Sequence, residues 1–329
     1  MTLLRPLHGF WYNCFMNTAL TSNLRTLVDD FLQYLIVEKS LSPLTIREYK
    51  HYLTRFICWM EDNSIPLSST SINLELIRQF RIYLAYLLNK NGKPLSKNTQ
   101  TYHVIALRSF LRYLTVKRDI STLNPDKIDL PKSNPRMINF LKQEQVTMLL
   151  NSPQISDIKG LRDKAILETF FSTGLRVSEL VKLNRDQINT KTKEFGVRGK
   201  GNKIRVVFLS DTACEWITRY LTMRKDNFKP LFVRYGGRKT TDKSGESMRF
   251  SVRGIQKMVK KYSKKAGLPI DAHPHTLRHS FATDLLIAGA DIRSVQEMLG
   301  HESIRTTQVY THVTNKHLKE VYRKYHDRT

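Results

Sequence analysis

The residues best suited to chemistry lie near the C-terminal end of the chain, in a His-Pro-His-Thr-Leu-Arg-His stretch. Pro274 fits the first turn of a helix and Gly289 fits its end, so we expect one helix over residues 274–288. His275 and Arg278 are three residues apart and are therefore neighbours on the surface of that helix.

A second stripe of this helix carries Leu277, Phe281 and Leu285, which are four residues apart. Burial of that stripe would anchor the helix in a core and hold the polar pair in a fixed position. No acidic residue lies between Asp271 and Asp284. The pair therefore suits a phosphate group better than a partner carboxylate.

Two stretches upstream carry further cations. Gly174 fits a left-handed helix end, which would place Arg176 in a tight connection where its side chain can reach a cleft. Residues 195–209 are predicted to form a β-hairpin with Lys200 at its glycine-rich tip. Alone, this hairpin is weak evidence, because turns often contain glycine and lysine. It is not a Walker phosphate loop, since no G-x-x-x-x-G-K-[ST] occurs.

A Leu-Gly-His motif ends at His301, and Tyr310 follows nine residues later. Any single one of the 14 tyrosines is more often a core or surface residue than a nucleophile, and Tyr310 stands out only because four other motifs accompany it. His279 is predicted to be structural, and His273 fits ordinary turn chemistry. The sequence has no H-E-x-x-H or D-x-D cluster, which argues against a metal nuclease.

Length and charge limit the class of protein. A chain of 329 residues favours two domains. The formal net charge of +25, from 54 Lys and Arg against 29 Asp and Glu, implies a polyanionic partner, and nucleic acid is the first candidate. A basic membrane-surface protein is the alternative, but the basic residues are spread over the whole chain instead of one amphipathic helix. No run of about 18 apolar residues predicts a membrane span.

The cysteines Cys14, Cys58 and Cys214 show neither paired nor metal-ligand spacing, which fits a reducing cytoplasm. The first residues lack the features of a signal peptide. We expect residues 1–21 to be an N-terminal extension, and a chain starting at Met16 to remain active.

Residues 22–118 are predicted to form a domain of four amphipathic helices. Three prolines with Asp, Lys and Asn between them mark residues 119–139 as a linker. Residues 140–329 then form the second domain, which includes a C-terminal helix.

Basic faces are predicted on the second and fourth helices of the first domain. One such face is equally well explained as a solvated surface, but two in one four-helix unit favour a DNA-contacting module. The second helix carries Arg47, Lys50, His51 and Arg55, and the fourth carries Lys97, His103, Arg108 and Arg112. On the hairpin, Lys203 and Arg205 are further candidates for DNA contact.

Together, T-G-L-R-V-S-E-L, G-K-G-N-K-I-R, H-P-H-T-L-R-H, L-G-H and the terminal tyrosine closely resemble the tyrosine recombinases, in particular the Xer-like bacterial branch and its integrase relatives. An S-P-L-T-x-x-x-Y stretch at residues 42–49 is similar to the start of that family's DNA-clamping domain. The resemblance covers nearly the whole chain, except residues 1–20 and the loop 235–248. It implies a mainly α fold with a small β-sheet, comprising a SAM-like four-helix domain and an α+β catalytic domain.

The resemblance also implies roles for the site residues. Tyr310 would attack the scissile phosphorus to give a 3′-phosphotyrosyl link and a free 5′-hydroxyl, with no cofactor or metal. Lys200 would protonate the departing 5′-oxygen, and Glu179 would orient a cation or the hairpin. The cations and proton acceptors around the phosphate would be Arg176, His275, Arg278 and His301.

As partners, the resemblance implies double-stranded DNA with inverted half-sites, a homo-tetramer acting through a Holliday junction, and a cytoplasmic location on the nucleoid. A second recombinase and an accessory protein are possible partners. For the biological role, the resemblance leaves three alternatives open: resolution of chromosome dimers during chromosome segregation, phage integration, and integration or transposition of a mobile element. A type IB topoisomerase and a non-catalytic architectural DNA-binding protein are the remaining hypotheses.

The segment after the tyrosine carries Leu318, Val321, Tyr322 and Tyr325 at the spacing of a short amphipathic helix. Packing onto its own domain is the simplest interpretation. The resemblance favours docking into a neighbouring subunit instead.

Overall fold

The computed structural model describes residues 23–89, 91–131, 139–199, 203–237 and 241–300. The chain divides into two compact units, Met1–Pro135 and Arg136–Thr329. The described residues are mainly helical with one two-stranded sheet, as the sequence predicted. Over the same residues, no helix has the length and apolar character needed to cross a bilayer.

The first unit contains four α-helices: α1 (Leu24–Val37), α2 (Pro43–Asp62), α3 (Leu74–Tyr86) and α4 (Lys97–Lys117). Each helix starts at a polar N-cap residue, and these residues are Asn23, Ser42, Asn73 and Ser96. Before α2, the Ser42 hydroxyl accepts a hydrogen bond from the backbone N–H of Thr45, and Pro43 occupies the first helical position. Phe31 lies at the centre of the core, where its ring contacts Tyr49 and Phe110.

Helix α3 ends at Tyr86. Beyond it the chain reverses direction through a turn at Gly92, whose φ is +69°, so that Leu88 pairs with Pro94. The backbone groups needed for another helical turn are used in this reversal.

The prediction that His103 belongs to an exposed basic face is wrong. The residue is only 1% exposed, because it shares a stripe of α4 with the buried Ala106, Leu107 and Phe110. Its Nδ1 lies 2.8 Å from the carbonyl oxygen of Thr99, and its Nε2 lies 3.0 Å from Arg55 Nη1.

The first part of the predicted linker is folded against the first unit. Ile128 is buried in its core, and a short 3₁₀ helix, Pro125–Lys127, packs on α4. Asp126 in this helix accepts hydrogen bonds from Arg108 and Arg112 at 2.9 and 2.6 Å.

In the second unit, the elements in order are α5 (Gln143–Leu150), α6 (Ile158–Thr173), α7 (Val177–Val181), β1 (Glu194–Arg198), β2 (Ile204–Phe208), α8 (Asp211–Met223), α9 (Val252–Lys265), α10 (Pro274–Ile287) and α11 (Ile292–Leu299). The predicted hairpin and the helix starting at Pro274 are confirmed. Helices α8, α9 and α11 were not assigned from the sequence.

Helix α6 runs through the core of this unit and packs against α8 and α10. It is buried on nearly all sides, so its charged residues need internal partners. Arg162 donates to the carboxylate of Asp163 at 2.6 and 2.9 Å, and Tyr262 donates to the same carboxylate at 3.0 Å. This satisfied network fixes α6 and, through Tyr262, helix α9.

Strands β1 and β2 pair antiparallel, with Arg198 opposite Ile204 and Glu194 opposite Phe208. Phe195 and Val207 point into the core. On the outer face of β2, Ile204 and Phe208 are 69% and 54% exposed. The hairpin therefore presents an apolar face to solvent.

Candidate active site

Arg278 lies on the second turn of α10 and is 4% exposed. Its Nη1 donates to the carbonyl oxygen of Gly174 at 2.7 Å, and its Nη2 donates to that of Leu299 at 2.6 Å. The guanidinium thus joins the end of α6 to the end of α11. Leu277, one residue before it, is fully buried and anchors α10 as predicted.

Arg176 enters the site through the turn after α6. Gly174 ends α6 with a φ of +58°, as predicted, and a Cβ there would lie 2.4 Å from the ring of Phe281. Glycine is therefore required both by backbone conformation and by space. From this turn, Arg176 Nη1 donates to Glu179 at 2.9 Å and Nη2 donates to the Gly300 carbonyl at 3.0 Å.

Arg205 on β2 completes a set of three arginines. Its Nε donates to the carbonyl oxygen of Met298 at 2.9 Å, and its Nη1 and Nη2 donate to the two carboxylate oxygens of Glu179 at 3.1 and 2.8 Å. The side chain is 12% exposed. Arg205 is therefore engaged within the protein, in contrast to the exposed DNA contact predicted from the sequence.

Glu179 lies between Arg176 and Arg205 and is 6% exposed. It also accepts the backbone N–H of Arg176 at 2.9 Å. Burial alone would raise the pKa of this carboxyl, but the hydrogen bonds from Arg205 and Arg176 outweigh burial and lower the pKa to about 2. Glu179 is a permanent anion that contacts both a candidate catalytic cation and the hairpin, the two partners proposed for it from the sequence.

The three arginines meet three consecutive carbonyl groups, those of Met298, Leu299 and Gly300. These groups end α11, where the last carbonyls of a helix lack helical partners and carry partial negative charge. Gly300 closes the helix with a φ of +63°. The residue that follows in the sequence is His301.

His275 lies one turn before Arg278 on α10, as predicted. Partial burial, followed by the positive charges of Arg278, His273 and Arg176, lowers the pKa of His275. The neutral imidazole, which can accept a proton, is therefore favoured near neutral pH. Burial and the neighbouring His275 and Arg278 lower the pKa of His279 to about 4, so His279 is neutral as well.

The remaining predicted catalytic residues, Lys200, His301 and Tyr310, lie outside the described residues. So does the predicted amphipathic segment that follows Tyr310. The structure thus brings together Arg176, Glu179, His275 and Arg278.

The predicted DNA-contacting residues fall into two groups. The exposed ones include Arg47, Lys50, Lys97 and Lys203, and Arg47 also lies 3.8 Å from the carboxylate of Glu48. The others are held by side-chain partners: Arg55 by His103, Arg108 and Arg112 by the exposed Asp126, and Arg205 by Glu179.

Helix α9 carries a basic surface that the sequence analysis did not single out. Its apolar stripe, which includes Ile255, Val259 and Tyr262, is buried. The opposite side exposes Arg253, Lys257, Lys260, Lys261, Lys264 and Lys265. The signal was present in the sequence as apolar residues at helical spacing separated by lysines.

Comparison with known families gives two matches. The phage integrase family matches residues 139–317, and the N-terminal SAM-like domain of phage integrases matches residues 28–118. The chain belongs to the phage integrase family. The first match covers the candidate site, and the second covers the four helices of the first unit except the first turn of α1.

Curated relatives are similar over nearly their whole length. Tyrosine recombinase XerD of Lacticaseibacillus casei is 37% identical over 308 residues, which cover 92% of this chain and 99% of the relative. Tyrosine recombinase XerC of Pelotomaculum thermopropionicum is 38% identical over 307 residues, covering 92% and 98%. These relatives confirm the prediction of a tyrosine recombinase, an enzyme of site-specific DNA recombination.

Solved structures share the fold. The XerH site-specific recombinase bound to a palindromic difH substrate matches with a TM-score of 0.66 and 22% identity, covering 91% of this chain and 84% of that one. The Tn1549 transposon integrase in complex with circular intermediate DNA matches with a TM-score of 0.63 and 19% identity, covering 88% and 95%. Both support the predicted fold.

Proposed function

We propose that this recombinase cleaves and rejoins DNA through a 3′-phosphotyrosyl intermediate at Tyr310. The observation that carries the proposal is the position of Arg176 and Arg278, which come from separate elements and converge on the end of α11. Two guanidinium groups held in this way suit the non-bridging oxygens of one phosphate. Charge-assisted hydrogen bonds of about 1.5–3 kcal/mol each would stabilise the more highly charged transition state.

The tyrosine needs help to act as a nucleophile. A phenol has a pKa near 10 and is mostly protonated at neutral pH. A neutral His275 beside Arg278 supplies a proton acceptor next to a fixed positive charge. His301 would complete this environment, and Lys200 would protonate the departing 5′-oxygen, a step worth about 10²–10⁴ in rate.

A suicide substrate with a nick beside the cleavage point tests the proposal. After cleavage, the short fragment diffuses away and the protein stays covalently attached to the DNA. A covalent adduct is expected from this chain, whereas an architectural DNA-binding protein would give none. If the protein also relaxes supercoiled DNA lacking any target site, a type IB topoisomerase would be the better description.

DNA contact is proposed for both units. The exposed cations of α2 and α4, together with Lys203 and the basic side of α9, supply phosphate-binding groups. If six to ten phosphates are contacted, the affinity should fall by roughly 10³–10⁵ between 50 and 200 mM salt. A shallow salt dependence would argue against this role for the exposed cations.

We further propose assembly as a tetramer on two duplexes with inverted half-sites, acting on the nucleoid. The exposed apolar face of β2 supports a protein contact in this unit, since Ile204, Val206 and Phe208 are all more than half exposed. Removing the chain from Asn315 onward should leave half-site binding unchanged but weaken paired-site complexes. Val321→Asp should act similarly, because it would bury an unpaired carboxylate in the contact. Equal ratios of full-site to half-site affinity in intact and truncated protein would contradict docking between subunits.

The proposed cellular role is resolution of chromosome dimers, alone or with a second recombinase or accessory protein. Integration or transposition of a mobile element is the alternative. Flanking att-like repeats or mobile-element genes beside the coding region would favour the alternative.

A further inference from the structure

Arg205 occupies a position between two segments that each carry a proposed catalytic residue. A Cβ added to Gly199 would lie 3.4 Å from Arg205 Nη1, and one added to Gly300 would lie 3.0–3.3 Å from Arg205 Cδ, Nη1 and Nε. Gly199 immediately precedes Lys200, and Gly300 immediately precedes His301. One guanidinium is thus packed against the backbone next to both residues.

The hydrogen bonds of Arg205 fix this placement in three directions. Nε is bound to Met298 at the end of α11, while Nη1 and Nη2 form a two-pronged contact with Glu179. Glu179 in turn binds the side chain and backbone of Arg176. The planar guanidinium therefore connects the hairpin, the end of α11 and a candidate phosphate-binding arginine, a geometry that a lysine ammonium does not reproduce.

The hairpin is anchored through its inner face, where Phe195, Val197 and Val207 are buried in the core. Among the described residues, its two short strands form a sheet of their own, with one further bridge between Asn189 and Glu194, and a two-stranded hairpin is marginally stable without such packing. The outer side chains of β2 are exposed, so this side of the strand contributes little anchorage. Contacts between β2 and α11 accordingly depend on the inward-facing residues, of which Arg205 is the charged one.

From these contacts we infer that Arg205 is a positioning residue. It ties β2 to the end of α11 and to Glu179, and in this way it sets the position from which Lys200 would protonate the leaving oxygen of the phosphate bound by Arg176. The inference rests on the proposed function of Lys200. All three guanidinium nitrogens of Arg205 are bound by Met298 and Glu179, so we assign it no direct contact with DNA or with the reacting atoms. This positioning role replaces the DNA contact that was predicted for Arg205 from the sequence.

The test uses Arg205→Ala and Arg205→Lys in the full chain, with ordinary DNA and with DNA carrying sulfur at the 5′-bridging position. A thiolate leaves without being protonated, so the sulfur substrate does not need Lys200. On ordinary DNA, cleavage by Arg205→Ala should fall by about 10²-fold, the cost of displacing a catalytic group by roughly 1 Å. On the sulfur substrate, the loss should shrink to less than about tenfold.

Arg205→Lys keeps the charge and most of the side chain, and it serves if Arg205→Ala fails to fold. It should show the same dependence on the leaving group, because it lacks the two-pronged contact with Glu179. Arg198→Ala is the matched control, since Arg198 is an exposed arginine on the opposite strand of the same hairpin. Its cleavage should change less than about twofold on either substrate.

Three results would overturn the inference. Equal losses on the two substrates would mean that Arg205 acts on something other than the leaving group. A normal rate in both variants would mean that the hairpin is positioned without it. If the slope of log K for DNA binding against log salt is shallower by about 0.9 in Arg205→Ala than in the wild type, Arg205 contacts a phosphate instead. A wild-type protein that forms no adduct, or Lys200→Ala that sulfur does not rescue, would instead count against the proposed function.

Discussion

The exposed basic residues of the first unit and the arginines of the candidate site in the second unit are held in different ways. In the first unit Arg47, Lys50 and Lys97 project into solvent. In the second unit Arg278 is nearly buried, and its guanidinium is bound to the carbonyl oxygens of Gly174 and Leu299. The first group is exposed to solvent, whereas Arg278 is fixed by protein groups before any substrate arrives.

This difference separates two uses of positive charge. Exposed cations attract a polyanion and contribute to affinity in small, nearly additive steps. Fixed cations pay little reorganisation cost when charge develops on a phosphate, so they act on the rate of reaction. Substitutions of the exposed cations of the first unit should therefore change binding, whereas substitutions of the fixed arginines of the candidate site should change cleavage.

The largest effect is expected for Tyr310→Phe. The substitution removes only the nucleophilic oxygen, so covalent adduct should fall to background while half-site affinity remains unchanged. Adduct formation on the nicked substrate and gel-shift titration measure the two properties separately. Adduct above background in the variant would refute the assignment of Tyr310.

Arg278→Lys keeps the charge but loses the planar fork that binds two carbonyl oxygens. Cleavage at saturating DNA should fall by about 10²–10³-fold, with little change in half-site affinity. Lys97→Arg is the matched conservative exchange in the first unit and should leave cleavage unchanged. Comparable losses of cleavage in the two variants would contradict the distinction between fixed and exposed cations.

His103 offers a test through pH. Burial lowers its pKa from 6.5 to about 4, so the unfolded chain takes up a proton more readily than the folded chain does. Its contribution to stability is complete above about pH 6.5 and declines as pH falls toward 4. At pH 5, this preferential protonation of the unfolded chain lowers the free energy of unfolding by about 2 kcal/mol.

In His103→Gln, urea midpoints at pH 7 and pH 5 should therefore lie closer together than in the wild type. His279→Gln should bring the midpoints closer together in the same way, because burial also lowers the pKa of His279 to about 4. An unchanged difference between the midpoints in His103→Gln would show that His103 is not the buried neutral histidine described above.

The smallest effects are expected for Lys50→Ala and Lys97→Ala. Each should weaken half-site binding by roughly 0.2–1 kcal/mol and reduce the salt slope by about 0.9, without affecting cleavage at saturating DNA. Fluorescence anisotropy at several salt concentrations measures both quantities. A change in the cleavage rate at saturation would place these lysines in the catalytic machinery.

Much of the fold follows from local chemistry in the sequence. Ser42 and Pro43 start α2, and Gly174 ends α6, because caps and left-handed turns depend on a few adjacent residues. The neighbouring His275 and Arg278 follow from helical spacing alone. These features were predicted correctly.

The failures occur where distant segments decide the outcome. On β2, Ile204 and Val206 form the more apolar face, yet they point to solvent while Arg205 points inward. Alternation identifies the two faces of a strand but not which one is buried. Here Glu179 and the carbonyl groups ending α11 supply partners for the arginine, and both are far away in sequence. His103 was misplaced for a related reason, since its residue type suggested solvent while its position lay on the buried stripe of α4.

In the first unit, the carboxylate of Asp126 competes with phosphate groups for two arginines. Its carboxylate already occupies Arg108 and Arg112, at 2.9 and 2.6 Å. A phosphate must displace this resident anion before it gains either arginine. Heparin, RNA and random DNA should therefore bind the first unit more weakly than its number of basic residues indicates. Asp126→Asn should strengthen this non-specific binding and make the protein less discriminating among polyanions.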